Sequence, residues 1–451
     1  MPPKKQKQKS VSFDEQLVLF RFFLHLFGKE AISSFSSALN NTDAEGFDEN
    51  QNTLFYVWLR DFCPHCQIPK DRLRIYDENI CRYVKRIGEK RGGLKLKYFQ
   101  YLALLFTEIF LDRYFSSKSE FIEELNEYIA KLYSQSLGLI GIPAFTEKSL
   151  NKLAYMCATG SGKTLLMHIN ILQFLHYFNR AKRQNSHLEI NNIIVLAPNE
   201  NMALQHLDEL KLSNISAGLF NKDDLLYNSD SDVLVIDMNK LREEGKAKTV
   251  SVDQFEQNNL VLVDEGHRGM SGNVWYDYRT RLAAEGFSFE YSATFKQALN
   301  AGNAKEKQEL LDEYSHSIIM DYSYKFFYED GYGKDYRIYN LKAGIDEETR
   351  QIYLVGCLVS FYQQMKVYLD NPAALSDFNV EKPLLVFVGN RVTTSTSEAE
   401  LTDVEEVINF MDDFLRNKHK SIARIRALFY DDTGLVDGNG NQLFQNIFQP
   451  L

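Results

Sequence analysis

Six consecutive residues, Thr159-Gly160-Ser161-Gly162-Lys163-Thr164, carry the most specific chemistry in the chain. Glycines let backbone N–H groups close around phosphate oxygens. A helix beginning at the same point adds further N–H groups and the positive end of its dipole. In a loop of this kind the lysine reaches the β- and γ-phosphates and the next hydroxyl ligates Mg²⁺. The pattern therefore points to a nucleoside triphosphate, with Lys163 on its phosphates and Thr164 on its metal. Cys157 stands where the GxxxxGK[ST] pattern has its first glycine, which leaves the start of the loop less defined.

A triphosphate site of this type also needs a metal-holding acid on a nearby strand. The run Asn259-Leu260-Val261-Leu262-Val263-Asp264-Glu265-Gly266-His267 supplies one. Its apolar stretch puts Asp264 at the carboxyl end of a buried strand, the edge where ligands bind in a doubly wound sheet. Asp264 is expected to hold Mg²⁺ through its water shell, and Glu265 to orient and deprotonate the attacking water.

The elements around these residues alternate. Short apolar, β-rich runs at Leu153–Cys157, Ile193–Ala197, Val233–Ile236, Leu260–Val263 and Phe287–Tyr291 are separated by helical stretches at Lys163–Phe178, Met202–Leu210 and Val274–Ala284. Runs apolar on both faces are what the central strands of a parallel sheet require. Alternation with helices implies right-handed crossovers and a doubly wound α/β domain over 151–335. Residues 11–150 read as mostly helical, with helices over Asp14–Phe27, Tyr98–Phe115 and Phe121–Leu137. Residues 1–10 are expected to form a basic, disordered tail. A second, incomplete α/β unit is expected over 336–451, with helices at Ile352–Leu369 and Val404–Leu415 and strands at Leu384–Val388 and Ile425–Phe429.

Composition sets outer limits. Across 451 residues, 44% are hydrophobic and 25% charged, which excludes a disordered chain, a collagen-like fibre or a small disulfide scaffold. Lys and Arg total 51 against 61 Asp and Glu, a net charge of −10. Such a chain does not coat nucleic acid by bulk charge, so any contact runs through a local groove. Five cysteines, an odd number, read as reduced thiols. The most apolar run, Leu17–Phe27, is broken by Arg21 and His25 and falls short of the roughly 20 residues a membrane span needs. No membrane partner and a cytoplasmic location are expected.

Taken together, these motifs resemble those of the superfamily 2 helicases and translocases. Asp264-Glu265-Gly266-His267 looks like their DExH box. Ser292-Ala293-Thr294 matches motif III, which couples hydrolysis to movement, and Ala197-Pro198-Asn199 looks like motif Ia, which touches the nucleic-acid backbone. Phe99-Gln100 is similar to the adenine-reading glutamine motif, and Leu384-Val386-Phe387-Val388-Gly389 to motif IV. Asp264–Gly269, Tyr291-Ser292-Ala293-Thr294-Phe295 and Asp321-Tyr322-Ser323-Tyr324-Lys325 look most like the restriction subunit of type III restriction enzymes. The resemblance implies a RecA-like, P-loop NTPase fold and ATP hydrolysis coupled to movement on double-stranded DNA. It also implies a modification methyltransferase partner, with His267 linking the γ-phosphate region to Ser292 and Thr294. A non-hydrolysing ATP sensor or scaffold, and an RNA helicase of the same superfamily, are the alternatives.

The chain departs from that family after Arg391. Its remaining arginines, Arg416, Arg424 and Arg426, do not sit in the QxxGRxxR setting of motif VI. That setting supplies arginine fingers worth about 10³–10⁵ in rate. The sequence reads as the N-terminal piece of a longer protein, with nucleotide binding, feeble hydrolysis and no nuclease site. Weaker signals remain. Cys63-Pro64-His65-Cys66 lacks the second pair a zinc site wants and reads as a thiol-bearing turn. The aromatic stretch Tyr322–Tyr332 can stack on bases or pack a linker. Trp275 and Arg279 share a helix face, read here as half-buried.

Overall fold

The computed structural model describes residues 11–220, 232–241, 252–267, 274–299 and 304–334. Beyond these it describes 336, 338–339, 346–376, 380–388, 403–430, 433, 435–437, 440 and 442–444. The basic tail, Arg268, Gly269, Gly389 and Arg391 lie outside the described residues. The chain divides into two compact units, Met1–Lys334 and Asp335–Leu451.

The first unit begins with six helices: α1 (Val18–Leu26), α2 (Ser33–Leu39), α3 (Leu54–Phe62), α4 (Lys70–Gly88), α5 (Tyr98–Ser116) and α6 (Lys118–Gln135). Residues Tyr98–Asp112 of α5 are all buried, so this helix is enclosed on every side rather than amphipathic. Then follow β1 (Lys152–Cys157), α7 (Lys163–Gln184), β2 (Ile193–Ala197), α8 (Glu200–Leu212), β3 (Ala217–Leu219) and β4 (Val233–Asp237). Beyond them come β5 (Leu260–Asp264), α9 (Val274–Leu282), β6 (Phe287–Ser292), α10 (Phe295–Leu299), α11 (Ala304–Ser317), β7 (Ile318–Tyr322) and α12 (Tyr324–Glu329).

The seven strands form one parallel sheet in the order β3-β4-β2-β5-β6-β1-β7. Every residue of β5, β6 and β7 is buried, as expected of strands covered by helices on both faces. The five strands read from hydrophobic runs are all present. The sequence reading missed β3, which is three residues long, and β7, whose Ile318–Tyr322 follows directly on α11 with no turn residue between them. Because every strand runs the same way, the segments after β5, β6 and β1, which are adjacent strands, emerge side by side on one edge.

A buried polar cluster fastens the helical layer to the sheet layer. Glu108 of α5 accepts hydrogen bonds from Asn79 of α4 and from Gln173 and Tyr177 of α7, at 2.6–2.8 Å. Burial pushes its carboxyl up to about 7 despite those three donors. Of the aromatic stretch Tyr322–Tyr332, Tyr322 is buried, Phe326, Phe327 and Tyr332 are half-buried, and Tyr324 and Tyr328 are exposed. Tyr322 stacks on Phe99 at 3.8 Å between ring centres, and its hydroxyl donates to Asp330 at 2.6 Å. Cys63 donates its thiol hydrogen to the Phe27 carbonyl, and Cys66 follows it in a turn.

In the second unit the described residues hold α13 (Glu347–Asp370), α14 (Pro372–Ser376), α15 (Asp403–Arg416) and α16 (Lys418–Phe429). Two strand expectations are corrected here. Leu384–Val388 is not in a strand, and Leu384 and Val388 are 83% and 91% exposed. Its apolar side chains find no neighbouring strand among the described residues. Ile425–Phe429 belongs to α16, whose buried Ser421, Arg424 and Leu428 recur at three and four residues. A five-residue apolar window does not separate that period from a strand's.

Candidate nucleotide-binding site

The phosphate loop leaves β1 at Cys157 and enters α7 at Lys163. Cys157 is the last strand residue and is buried, so the pattern's first glycine is replaced by a core side chain within β1. Burial pushes its thiol up to about 12, which leaves it neutral and inert. Gly160 and Gly162 have φ of 86° and 90°, the left-handed region that glycine enters without strain. A Cβ on Gly162 would also lie 2.5 Å from Gln100 Nε2. Ser161 is turned inward, its hydroxyl donating to the Ala158 carbonyl at 2.7 Å. Thr159 and Gly160 stay exposed at the mouth, and Thr164 is half-buried in the first turn of α7.

Gln100 touches this loop from α5. Its Nε2 donates to the Ser161 carbonyl at 2.9 Å, while its Oε1 accepts the Lys97 N–H at 2.9 Å and caps the helix. Both ends of the amide are therefore engaged within the protein.

Asp264 ends β5 and is 8% exposed. Its Oδ1 accepts the Glu265 N–H at 2.9 Å, and its Oδ2 meets His206 Nε2 at 3.0 Å. Glu265 has φ 53°, a left-handed turn directly after the strand. That turn brings Glu265 Oε1 to 3.1 Å from Lys163 Nζ and Oε2 to 3.2 Å from His267 Nδ1. The His267 hydrogen bond first, then the Lys163 charge, hold the Glu265 carboxyl down at about 2 against the opposing effect of burial. Glu265 is thus a carboxylate at any working pH.

At the end of β6, the buried Ser292 hydroxyl lies 2.8 Å from His267 Nδ1 and accepts the Thr294 N–H at 3.0 Å. Ala293 and Thr294 are half-buried beside it. The phosphate loop, the acidic turn and the serine segment therefore form one connected set on adjacent strands. Ala197-Pro198-Asn199 lies at the same edge after β2 but outside these bonds. Asn199 caps α8, accepting the Met202 N–H at 3.0 Å.

Glycines in left-handed turns, an ammonium at a helix start and paired acids at a strand end are the donor set that a magnesium nucleotide requires. Lys163 and the loop N–H groups suit the phosphates, and Thr164 and Asp264 suit the metal. Sequence reasoning missed two supporting residues, His206 and Glu290, and named Arg279 only for the helix face it shares with Trp275. His206 of α8 backs Asp264, while Arg279 of α9 and Glu290 of β6 lie beneath Gly266. None stands at a motif spacing. Only the two-residue spacing of Glu290 and Ser292 along β6 hints that a charged residue shares the serine's strand face.

No curated protein matches the chain. Among solved structures, the helicase domain of Hef from Pyrococcus furiosus aligns with a TM-score of 0.30 and 15% identity, over 50% of this chain and 46% of that one. Among the described residues, no helix is long and apolar enough to cross a membrane. Residues 116–297, from the last residue of α5 into α10, match the family model of the type III restriction enzyme res subunit.

Proposed function

We propose that the chain is the ATP-hydrolysing motor part of a DNA translocase of the type III restriction kind, or of a related defence system. The observation that carries this reading is the meeting of Lys163 and Glu265 at 3.1 Å on the carboxyl edge of one parallel sheet. A phosphate-seeking ammonium and a proton-accepting carboxylate then stand side by side. Lys163 and the loop amides bind the phosphates, and Thr164 and Asp264 hold Mg²⁺. The bound magnesium nucleotide supplies a phosphoryl group open to in-line attack by water. Glu265, released from Lys163 when that ammonium turns to phosphate, orients the water and takes its proton on a carboxylate oxygen. His267 senses where Glu265 stands and passes this to Ser292, and so to Thr294 at the edge facing the track.

Duplex DNA as the track and a modification methyltransferase as partner rest on the type III likeness of residues 116–297. The test is ATP turnover measured with no nucleic acid, with duplex DNA and with RNA, beside Lys163→Ala. DNA-stimulated turnover that vanishes in the variant supports the proposal, and stimulation by RNA alone replaces DNA with RNA as the track. A second reading, an ATP-binding sensor without turnover, is favoured by Arg424. Its guanidinium is committed to Glu348 and Asp413 at 2.8–2.9 Å rather than free to act as a finger. Nucleotide binding with no turnover under any condition would select it.

A further inference from the structure

Gly266 is held from two sides. Its N–H donates to the Tyr291 carbonyl of β6 at 2.9 Å, and its carbonyl accepts a hydrogen bond from the Arg279 guanidinium. Arg279 is 3% exposed and lies among groups that fix it. It donates to the Tyr314 hydroxyl at 3.2 Å, and Tyr314 in turn donates to Glu290 Oε2 at 2.6 Å. Arg279 Nε lies 3.7 Å from Glu290 Oε1, which also meets Lys152 Nζ at 2.9 Å. Burial alone would raise the Glu290 carboxyl, but Arg279 and Lys152 hold it below the usual range, so a charged carboxylate anchors the guanidinium.

The fit at Gly266 is close. A Cβ there would stand 3.2 Å from Glu290 Cβ, so the turn rests directly on β6. Glu290 and Ser292 are two residues apart on that strand and share a face. One strand face therefore supplies both the anchor for Arg279 and the hydroxyl that meets His267. Glu265 and His267 flank Gly266, and the left-handed φ of Glu265 is an uncommon conformation for a side-chain-bearing residue, one that persists where the surroundings over-determine it.

We infer that Arg279, anchored by Glu290, is a positioning residue: it clamps the Gly266 carbonyl and so fixes the direction in which Glu265 faces the nucleotide. The inference rests on the proposed ATPase reading and deepens it. Arg279 bonds Gly266 and Tyr314 and pairs with Glu290, away from Lys163 and the Glu265 carboxylate. Its effect passes through the backbone of the turn. A lysine in its place keeps the charge beside Glu290 but lacks the planar fork that reaches Gly266 and Tyr314 together.

The experiment compares the full chain with Arg279→Lys and Glu290→Gln by three readouts: ATP turnover, equilibrium nucleotide binding and amide hydrogen exchange of the segment 260–267. With the turn loosened, kcat falls by about 10²-fold, the loss expected from a small misplacement of a reacting group. Nucleotide affinity holds, and exchange at 260–267 quickens about tenfold as one charge-assisted hydrogen bond is lost. A merely structural role would lower affinity and kcat together and quicken exchange across β1 as well. Unchanged kcat in a wild-type-active background, or unchanged exchange at 260–267, overturns the inference. If the wild-type chain itself shows no turnover but Arg279→Lys still loosens 260–267 alone, the motor reading fails and the clamp stands. Should Arg279→Lys not fold, Glu290→Gln carries the same comparison.

Discussion

His267 Nδ1 lies 2.8 Å from the hydroxyl of Ser292, and the same nitrogen lies 3.2 Å from Glu265 Oε2. One imidazole therefore touches both the carboxylate proposed to activate water and the strand end proposed to face the track. Any change in Glu265 on nucleotide binding must be felt at Ser292 through a single ring.

Ser292→Ala breaks that link while leaving the phosphate loop intact. Removing the hydroxyl costs about 1 kcal/mol of coupling. Basal nucleotide affinity is expected to hold, and stimulation of turnover by duplex DNA is expected to shrink. A titration of turnover against DNA, run beside the wild type, checks this; undiminished stimulation would show that the hydroxyl carries no signal.

Glu265→Gln keeps the shape of the turn and removes the proton acceptor. Turnover is expected to drop by roughly 10²–10⁴-fold, the usual worth of a positioned general base. Binding should survive or tighten, because Lys163 no longer has a carboxylate to leave. Measuring kcat and nucleotide affinity on the same preparation separates the two effects.

Gly162→Ala should destabilise the chain. Its φ of 90° costs a side-chain-bearing residue about 1–2 kcal/mol, and the new methyl meets Gln100 Nε2. Adding Gln100→Ala removes the overlap but not the backbone strain. The double variant should therefore recover part of the lost thermal midpoint. Equal midpoints for the single and double variants would show that the side-chain overlap is absorbed elsewhere.

The buried carboxyl of Glu108 gives a pH signature. Burial raises its folded-state value from the usual 4.5 to about 7, so the folded protein favours the neutral form. The associated stability is present in full below about 4.5 and is lost as pH rises through about 7. Glu108→Gln, neutral throughout, should flatten the fall in unfolding midpoint over that interval. A slope unchanged in the variant would assign it to other groups, such as Asp321, which burial raises to about 6.

The parts of this architecture that announce themselves do so through local chemistry. Apolar runs marked β1, β2, β4 and β5 because strands covered on both faces need few polar residues, and in β6 the alternating aromatics served despite the buried Glu290. The glycine-rich loop and Asp264-Glu265 stood out because motifs of the kind proposed for them have fixed neighbours in sequence. Glu108 and His206 were not legible, and Arg279 was noticed only for the helix face it shares with Trp275, not for its hold on Gly266. Each has its partner on another element, as with His206 and Asp264, 58 residues apart, and no local period encodes such a meeting. Gln100 was found, but the structure engages both ends of its amide inside the protein rather than leaving them for a base. At Leu384–Val388 and Ile425–Phe429 short apolar windows suggested strands, and the helical spacing across α16 prevailed in the second.

The central claim is that Lys163, Asp264 and Glu265 form a site for magnesium nucleotide. Equilibrium titration of ATP with Mg²⁺ into the wild-type chain and into Lys163→Ala tests it most directly. The account predicts saturable binding by the wild type and its loss in the folded variant. Absence of binding by the wild type, or equal binding by both proteins, would contradict it.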